Sequence, residues 1–419
     1  MKKNILSILF VLTGFVMHAQ KIGEIEVRNV MKSNPSFLKN LLEIREGQAL
    51  DTTRIKADVE QLNRLPGVAN ATYSVEAQEG GDYKVVFDIT ENFTIIPAAN
   101  VYTTNDGEFA FRLGLYEFNA FGRNIAFGGF FQRDIYNSYG IQFRAPQLFN
   151  REWGLAVNFL DWTTQEPVFF DIGTADYKYN NFSIEALGLH TFNPYNRIEF
   201  GLTIFKETYD YKEGVFDEQV VPLNVEADKW AIKGLYEYNK VESSYQYFEG
   251  VKNILNLQYN RSTEDALPSF WIGWNDFIYY KRVGERGNWA NRIRVGLAEN
   301  SDSPFAPFSV DNNLNIRGVG NTIDRGTGAI VINTEYRHTL WEKSWFVLQG
   351  NAFIDAGSWR QPGGELDDFV ESENVRVYPG IGLRAIHKKI FGAVFRIDYG
   401  YGITKNATNG LVFGIRQYF

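Results

Sequence analysis

From residue 93 onward, apolar and polar residues alternate with a period of two, in runs separated by Gly, Asn, Asp and Ser. The runs at 95–103, 109–118, 124–133, 139–145, 152–162, 177–190, 197–209, 229–239, 251–263, 271–283, 288–298, 329–340, 345–357, 376–386, 392–401 and 410–419 read as sixteen strands. An even number returns both ends of such a sheet to one side. Short connections (119–123, 193–196, 284–287, 341–344) alternate with long ones (163–176, 210–228, 299–328), as in membrane barrels. The longest connection is too long to be idle and is expected to be functional. The last run carries Leu411, Phe413, Ile415 and Phe419 on one face, with Val412, Gly414, Arg416 and Tyr418 between. A closed barrel needs its last strand to pair with its first and to face lipid. The pattern therefore predicts a membrane β-barrel of about sixteen antiparallel strands over 93–419, and the alternative is a soluble sheet with a terminal edge strand.

Residues 20–92 follow another rhythm. Ile22, Ile25 and Val27 alternate as a strand. Pro35 then opens a helix carrying Phe37, Leu38, Leu41, Leu42 and Ile44, which Gly47 ends. A second helix over 51–65 presents Ile55, Val59 and Leu62 and stops at Pro66 and Gly67. Strands at 71–76 and 83–89 flank the turn 79–82. This predicts one small α+β domain with the order β-α-α-β-β.

Residues 1–19 read as a signal peptide. Lys2 and Lys3 precede an apolar stretch from Ile5 to Val16, which is too short to span a bilayer that needs about 20 residues. The absence of Cys excludes disulfides and thiolate metal sites. Aromatics make up 16% of the chain while the mean hydropathy stays at −0.27, which fits polar inner and aromatic outer faces. A net charge of −8 argues against nucleic acid as a partner.

Two segments carry candidate chemistry. The longest connection holds Asn315, Ile316, Arg317, Gly318, Val319 and Gly320. Further on, Gln349, Asn351, Phe353 and Asp355 share one strand face, and Phe346, Leu348, Ala352 and Ile354 share the other. The second set is expected to face lipid, so Asp355 points into the lumen. If the loop folds inward, Arg317 gains a bidentate carboxylate, and Gly318 lets its backbone pass close to the wall. Asp355 has an alternative as a lumen charge paired with Arg384 or Arg396, and Asp398 shares a face with Arg396.

In these residues the chain resembles the BamA/TamA superfamily of outer-membrane assembly factors and two-partner-secretion transporters. Ile316, Arg317 and Gly318 match the family's loop motif, although Val319 stands where an aromatic is usual. Phe353, Asp355 and Gly357 match its Phe-x-Asp-x-Gly strand motif, and residues 20–92 resemble its POTRA domain. The resemblance implies an outer-membrane protein of a Gram-negative bacterium with a periplasmic POTRA-like domain. Its partners would be unfolded outer-membrane or secreted polypeptides, outer-membrane lipid, and periplasmic chaperones at residues 20–92. No cofactor is implied. Insertion, translocation and lipid handling stay open.

The family reading expects a weak seam between 95–103 and 410–419. Gly410 and Gly414 offer no side chain to pack, and Pro97 removes a donor from the first strand. Two other classes compete. A passive pore has no use for a POTRA-like domain. A barrel enzyme would need a nucleophile near His190, His338 or His387, and no Ser stands at a telling spacing from them.

Overall fold

The computed structural model describes residues 20–79, 81–103, 109–300, 302–310, 315–319 and 324–419. The expected signal peptide and Gly320 lie outside the described residues.

The N-terminal domain runs β1 (Ile22–Arg28), α1 (Pro35–Leu41), α2 (Thr52–Asn63), β2 (Val68–Ala77) and β3 (Tyr83–Glu91), in the expected order. Its sheet is ordered β1-β3-β2, with β1 parallel to β3 and β2 antiparallel to it. Local chemistry starts both helices. The Asn34 side chain accepts from the Phe37 N–H at 2.9 Å, with Pro35 in the first turn, and Asp51 accepts from Thr53 at 2.8 Å. Leu38, Leu41, Ile55 and Leu62 then bury themselves on Ile22, Val85 and Phe87.

The second region begins with β4 (Ile95–Thr103), β5 (Phe109–Ala120), β6 (Ile125–Arg133), β7 (Asn137–Ala145), β8 (Trp153–Phe170) and β9 (Gly173–Asn193). It continues with β10 (Asn196–Gly214), β11 (Asn224–Ser244), β12 (Tyr247–Ser262), β13 (Phe270–Val283) and β14 (Gly287–Ala298). Two short strands, β15 (Phe308–Val310) and β16 (Asp324–Gly326), pair with each other inside the longest connection. Then come β17 (Gly328–Glu342), β18 (Phe346–Arg360), β19 (Val375–His387), β20 (Val394–Tyr401) and β21 (Asn409–Ile415). β4–β14 and β17–β21 form one sixteen-stranded antiparallel sheet, rolled into a nearly closed barrel. Leu113, Leu115, Ile204, Ile232, Ile332, Ile381 and Phe413 are exposed on its outer wall, while Gln349, Asp355, Arg384 and Asp398 are buried on the inner one. Such a sheet with an apolar outer wall satisfies its backbone internally except along the gap between its first and last strands, and spans a membrane.

Two expectations are corrected. The segments 163–176 and 210–228 are not long loops. β8 and β9 are joined by Asp171 and Ile172 alone, β10 continues to Gly214, and β11 starts at Asn224. β9 has 21 residues, or about 70 Å at ~3.3 Å per residue, where ~9–11 residues span a bilayer. Beyond the hydrocarbon no lipid enforces alternation. Val168, Tyr177, Tyr209 and Phe305 pack there on one another, so the period fades although the strand does not.

The other correction concerns the last strand, which ends at Ile415. Arg416 takes φ +79°, and the chain turns into the lumen. Phe419 was expected on lipid. It packs inside, on Ile278, Tyr280 and Ala290.

The N-terminal domain sits against the proximal mouth of the barrel. Asn34 N–H donates to the Gly122 carbonyl (3.0 Å), Lys32 pairs with Glu117 (2.7 Å), Tyr195 donates to Glu60 (2.6 Å) and Arg64 donates to the Asn239 carbonyl (3.1 Å). Glu91, the last residue of β3, accepts from the N–H groups of Met31, Lys32 and Ser33. Burial pushes its carboxyl up, but these donors outweigh burial and hold it below the ordinary glutamate range. A cavity of about 870 Å3, lined in part by Glu60, Arg64, Asn70, Arg144 and Tyr195, lies between domain and mouth.

Candidate functional site

The loop segment 315–319 lies inside the barrel against β14 and β17–β20. Each of its residues meets a side chain or backbone suited to it. Asn315 is held through its side chain by Arg294 at 3.1 Å, and through its carbonyl by Arg292 at 3.3 Å and Asn333 at 2.8 Å. Ile316 is fully buried with Val310, Val319, Val331, Trp359 and Tyr378. It occupies the space that a Cβ on Gly357 would need, since such an atom would lie 2.5 Å from the Ile316 Cδ1.

Arg317 is wholly enclosed. Its Nε and Nη2 donate to the two oxygens of Asp355 at 2.8 and 2.9 Å, and its own N–H donates to Asp355 at 2.9 Å. Its Nη1 reaches Glu335 at 2.5 Å and stands 3.6 Å from Asp398. The guanidinium also lies against two rings, 3.6 Å from the Phe353 centroid and 4.5 Å from that of Tyr418. The Phe-x-Asp-x-Gly spacing thus has a physical reading. Phe353 stacks on the arginine, Asp355 grips it, and Gly357 leaves room for the residue before it.

Gly318 has φ +95°, and its Cβ would lie 2.6–2.8 Å from the backbone of Gly400. A Cβ on Gly400 would in turn lie 2.2 Å from the Arg317 carbonyl oxygen. The loop therefore crosses β20 backbone to backbone, which only two glycines permit. Thr408 donates to the carbonyl of Val319 at 2.6 Å and holds the far side.

The alternative partners of Asp355 belong to the same network. Arg384 pairs with Glu335 at 3.0 Å and Asp398 at 3.4 Å, and Arg396 pairs with Asp398 at 3.1 Å. Among the described residues neither forms an ion pair with Asp355; both reach Arg317 through shared carboxylates. Glu335, Arg337 and Tyr418 escaped the sequence reading. Glu335 joins Arg317, Arg337 and Arg384. It and Arg337 lie on the lumenal face of β17, visible as polar positions between the exposed Ile332, Tyr336 and Leu340, but nothing singled them out among many lumen charges. Tyr418 left no signal, because its alternation suits a strand.

At the seam, β4 pairs only with β5 and β21 only with β20 among the described residues. Pro97 lies opposite Leu115 in the β5 ladder and is exposed. Gly410 lies beside the Gly318 carbonyl. Gly414 clears space for Arg396, whose Nη2 would lie 2.6 Å from a Cβ there. Among the described residues a main-chain link spans the gap below the strands: the Phe93 N–H donates to the Lys389 carbonyl at 3.2 Å, and the Phe93 carbonyl accepts from the Phe391 N–H at 3.0 Å. A cavity of about 310 Å3 opens at the gap, lined by Ile96, Pro97, Ala98, Tyr116, Ile415 and Arg416, among others.

The chain has the fold of BamA and CdiB. BamA from Haemophilus ducreyi, in a form lacking POTRA domains 1–3, superposes with a TM-score of 0.55 at 13% identity, over 94% of this chain and 84% of that one. CdiB from Escherichia coli gives 0.63 at 11% identity (95% and 76%), and CdiB from Acinetobacter baumannii gives 0.60 at 12% (95% and 74%). Residues 20–92 match the POTRA family, described as a surface antigen variable number repeat. No curated protein matches the chain. The fold shared with BamA and CdiB is a barrel preceded by a POTRA domain, and the clamp and the seam lie in the barrel.

Proposed function

We propose that this is an outer-membrane factor that inserts or translocates polypeptides through its lateral seam. The POTRA domain is periplasmic, and the clamp on 315–319 fixes the loop while the seam works. The observation that carries this reading is the pair of strand edges, β4 and β21, with no ladder between them among the described residues. Unpaired N–H and C=O groups facing a bilayer are costly, and an unfolded client strand satisfies them by main-chain pairing. Such pairing reads no side-chain sequence, so it suits a variety of clients and needs no chemistry. The outer edge of β2 offers a second place for an extended segment, and Asn70 on it lines the cavity below the barrel mouth. Lipid borders the seam. Periplasmic chaperones would meet residues 20–92.

Of the two routes, insertion draws support from the distal end. There the Phe305 ring meets Tyr209 and Tyr177 edge-on, with centroids 4.5 and 6.0 Å apart, and Arg325 from the long connection pairs with Glu166 on β8. A chain leaving by the lumen would have to displace this cap. A chain leaving by the seam would not.

The test is reconstitution of the full chain in phospholipid vesicles with a urea-unfolded outer-membrane barrel as client. A photo-crosslinking residue at Ala99, exposed on β4, should label the client while its folding accelerates. Labelling absent during accelerated folding would reject the seam, and unchanged folding together with ion conductance would favour a passive pore.

A further inference from the structure

The tail that leaves the sheet after Ile415 ends in a site of its own. The Tyr418 ring centroid lies 4.5 Å from the guanidinium carbon of Arg317, 4.9 Å from that of Arg396 and 5.6 Å from that of Arg292. The Phe419 ring follows, 5.5 Å from Arg292 and 5.6 Å from Arg337. It rests on the apolar patch of Ile278, Tyr280 and Ala290. Gln417 accepts from Arg384 at 2.8 Å. Five arginines thus wrap a stretch of three residues.

Two observations mark this occupant as displaceable. Arg416 sits at φ +79°, a left-handed conformation that is strained for a side-chain-bearing residue and that a continued strand would relieve. The contacts also leave polar groups over. Gln349, buried beside Arg384 in the β18–β19 ladder, has neither amide atom hydrogen-bonded among the described residues, and the same holds for the Gln417 Nε2.

We propose that the cage of Arg292, Arg317 and Arg396 is a binding site for an aromatic side chain carried on an extended polypeptide, occupied at rest by the chain's own Tyr418. The ligand class follows from the walls. Guanidinium faces favour a ring, and the apolar patch beyond them takes a second ring one residue later. The inference rests on the seam reading, because the tail is the direct continuation of the seam strand. A client segment that takes the cage frees residues 416–419, and removes the second ring from Arg317. Seam and loop clamp are thereby coupled through one tyrosine.

The test uses the full chain in detergent and a fluorescent peptide with the sequence of residues 413–419. Tyr418→Ala with Phe419→Ala empties the cage. The peptide should bind this variant at least tenfold more tightly than the parent, and replacing both peptide rings with Leu should abolish the difference. Equal binding to both proteins, or binding indifferent to the rings, overturns the proposal. Heat-modifiable mobility on gels verifies that the variant barrel is folded. Should it fail to fold, Arg292→Gln in the parent background replaces it. Trypsin cleavage after Arg416, driven by the peptide, should then fall at least threefold, and unchanged cleavage overturns the proposal. Client insertion in vesicles is scored separately. Peptide binding without insertion would sink the seam reading and spare the cage; the reverse would sink the cage alone.

Discussion

The two sides of the barrel are built on different principles. On the far wall, β8–β11 run for 18–21 residues and pair along nearly their whole length. Their lumenal charges form local pairs such as Arg197 with Glu237 and Lys233 with Glu185. On the seam wall, β20 and β21 have 8 and 7 residues, and among the described residues the last strand has no ladder to a second strand. Its lumenal Glu335, Asp355, Arg384 and Asp398 are fully buried and tied into one network around Arg317. The far wall is held by backbone ladders, which are local and uniform. The seam wall has given up ladder bonds, and a loop and a tail packed inside replace them. Damage to one lumenal side chain should therefore matter on the seam wall and hardly register on the far wall.

The largest effect is expected at Arg317. Removing it leaves Asp355 buried without its guanidinium and takes from Glu335 one of its three arginines, and breaking a fully buried pair costs about 3–5 kcal/mol. Arg317→Ala should release the loop, seen as new protease cleavage within 302–327, while the barrel still folds. A double-mutant cycle with Asp355→Ala should show strong non-additivity, and additive effects would show that the two do not act as partners. Gly318→Ala comes next. A Cβ there meets the Gly400 backbone at a positive φ, for about 1–3 kcal/mol, and should give the same cleavage more weakly.

The junction between domain and barrel should respond to pH. The Glu91 carboxyl is held below its ordinary range by the N–H donors of Met31, Lys32 and Ser33. A depressed folded-state value stabilises above the unfolded value, and that contribution is lost as pH falls through the lowered one. The protection of the amides of residues 31–33, taken relative to their intrinsic exchange at each pH, should therefore stay high near neutrality and fall only on acidification below the ordinary glutamate range. Glu91→Gln should abolish this dependence at a cost of about 1 kcal/mol, given its partial exposure. The smallest effect is expected on the far wall. Arg197→Ala removes a half-exposed ion pair and should cost about 0.2–1 kcal/mol, with no new cleavage in the loop. A large effect there would erase the contrast between the walls.

How much of this was legible in the sequence follows from what enforces pattern. All sixteen spans were readable because lipid on one side and lumen on the other impose a period of two wherever the strand crosses the bilayer. The same rule hid the ends of β8–β11, where Val168 and Tyr177 pack on protein. Ile316, Arg317, Gly318 and Asp355 stood out through motif spacing, which the interlock of Phe353, Gly357 and Gly400 now explains. Glu335 carried the same polar signal as any lumen position. The inward tail was hidden most deeply, because Arg416, Gln417, Tyr418 and Phe419 would serve equally well as a strand. A single backbone angle at Arg416 makes the difference.

The central claim is that the seam must open. Ile96 and Ile415 line the gap from opposite strands, and the chain contains no other cysteine to interfere. Ile96→Cys with Ile415→Cys should crosslink on oxidation, stop client insertion in vesicles, and recover fully on reduction. Undiminished insertion by the oxidised protein, with the crosslink verified by mass, would contradict the account.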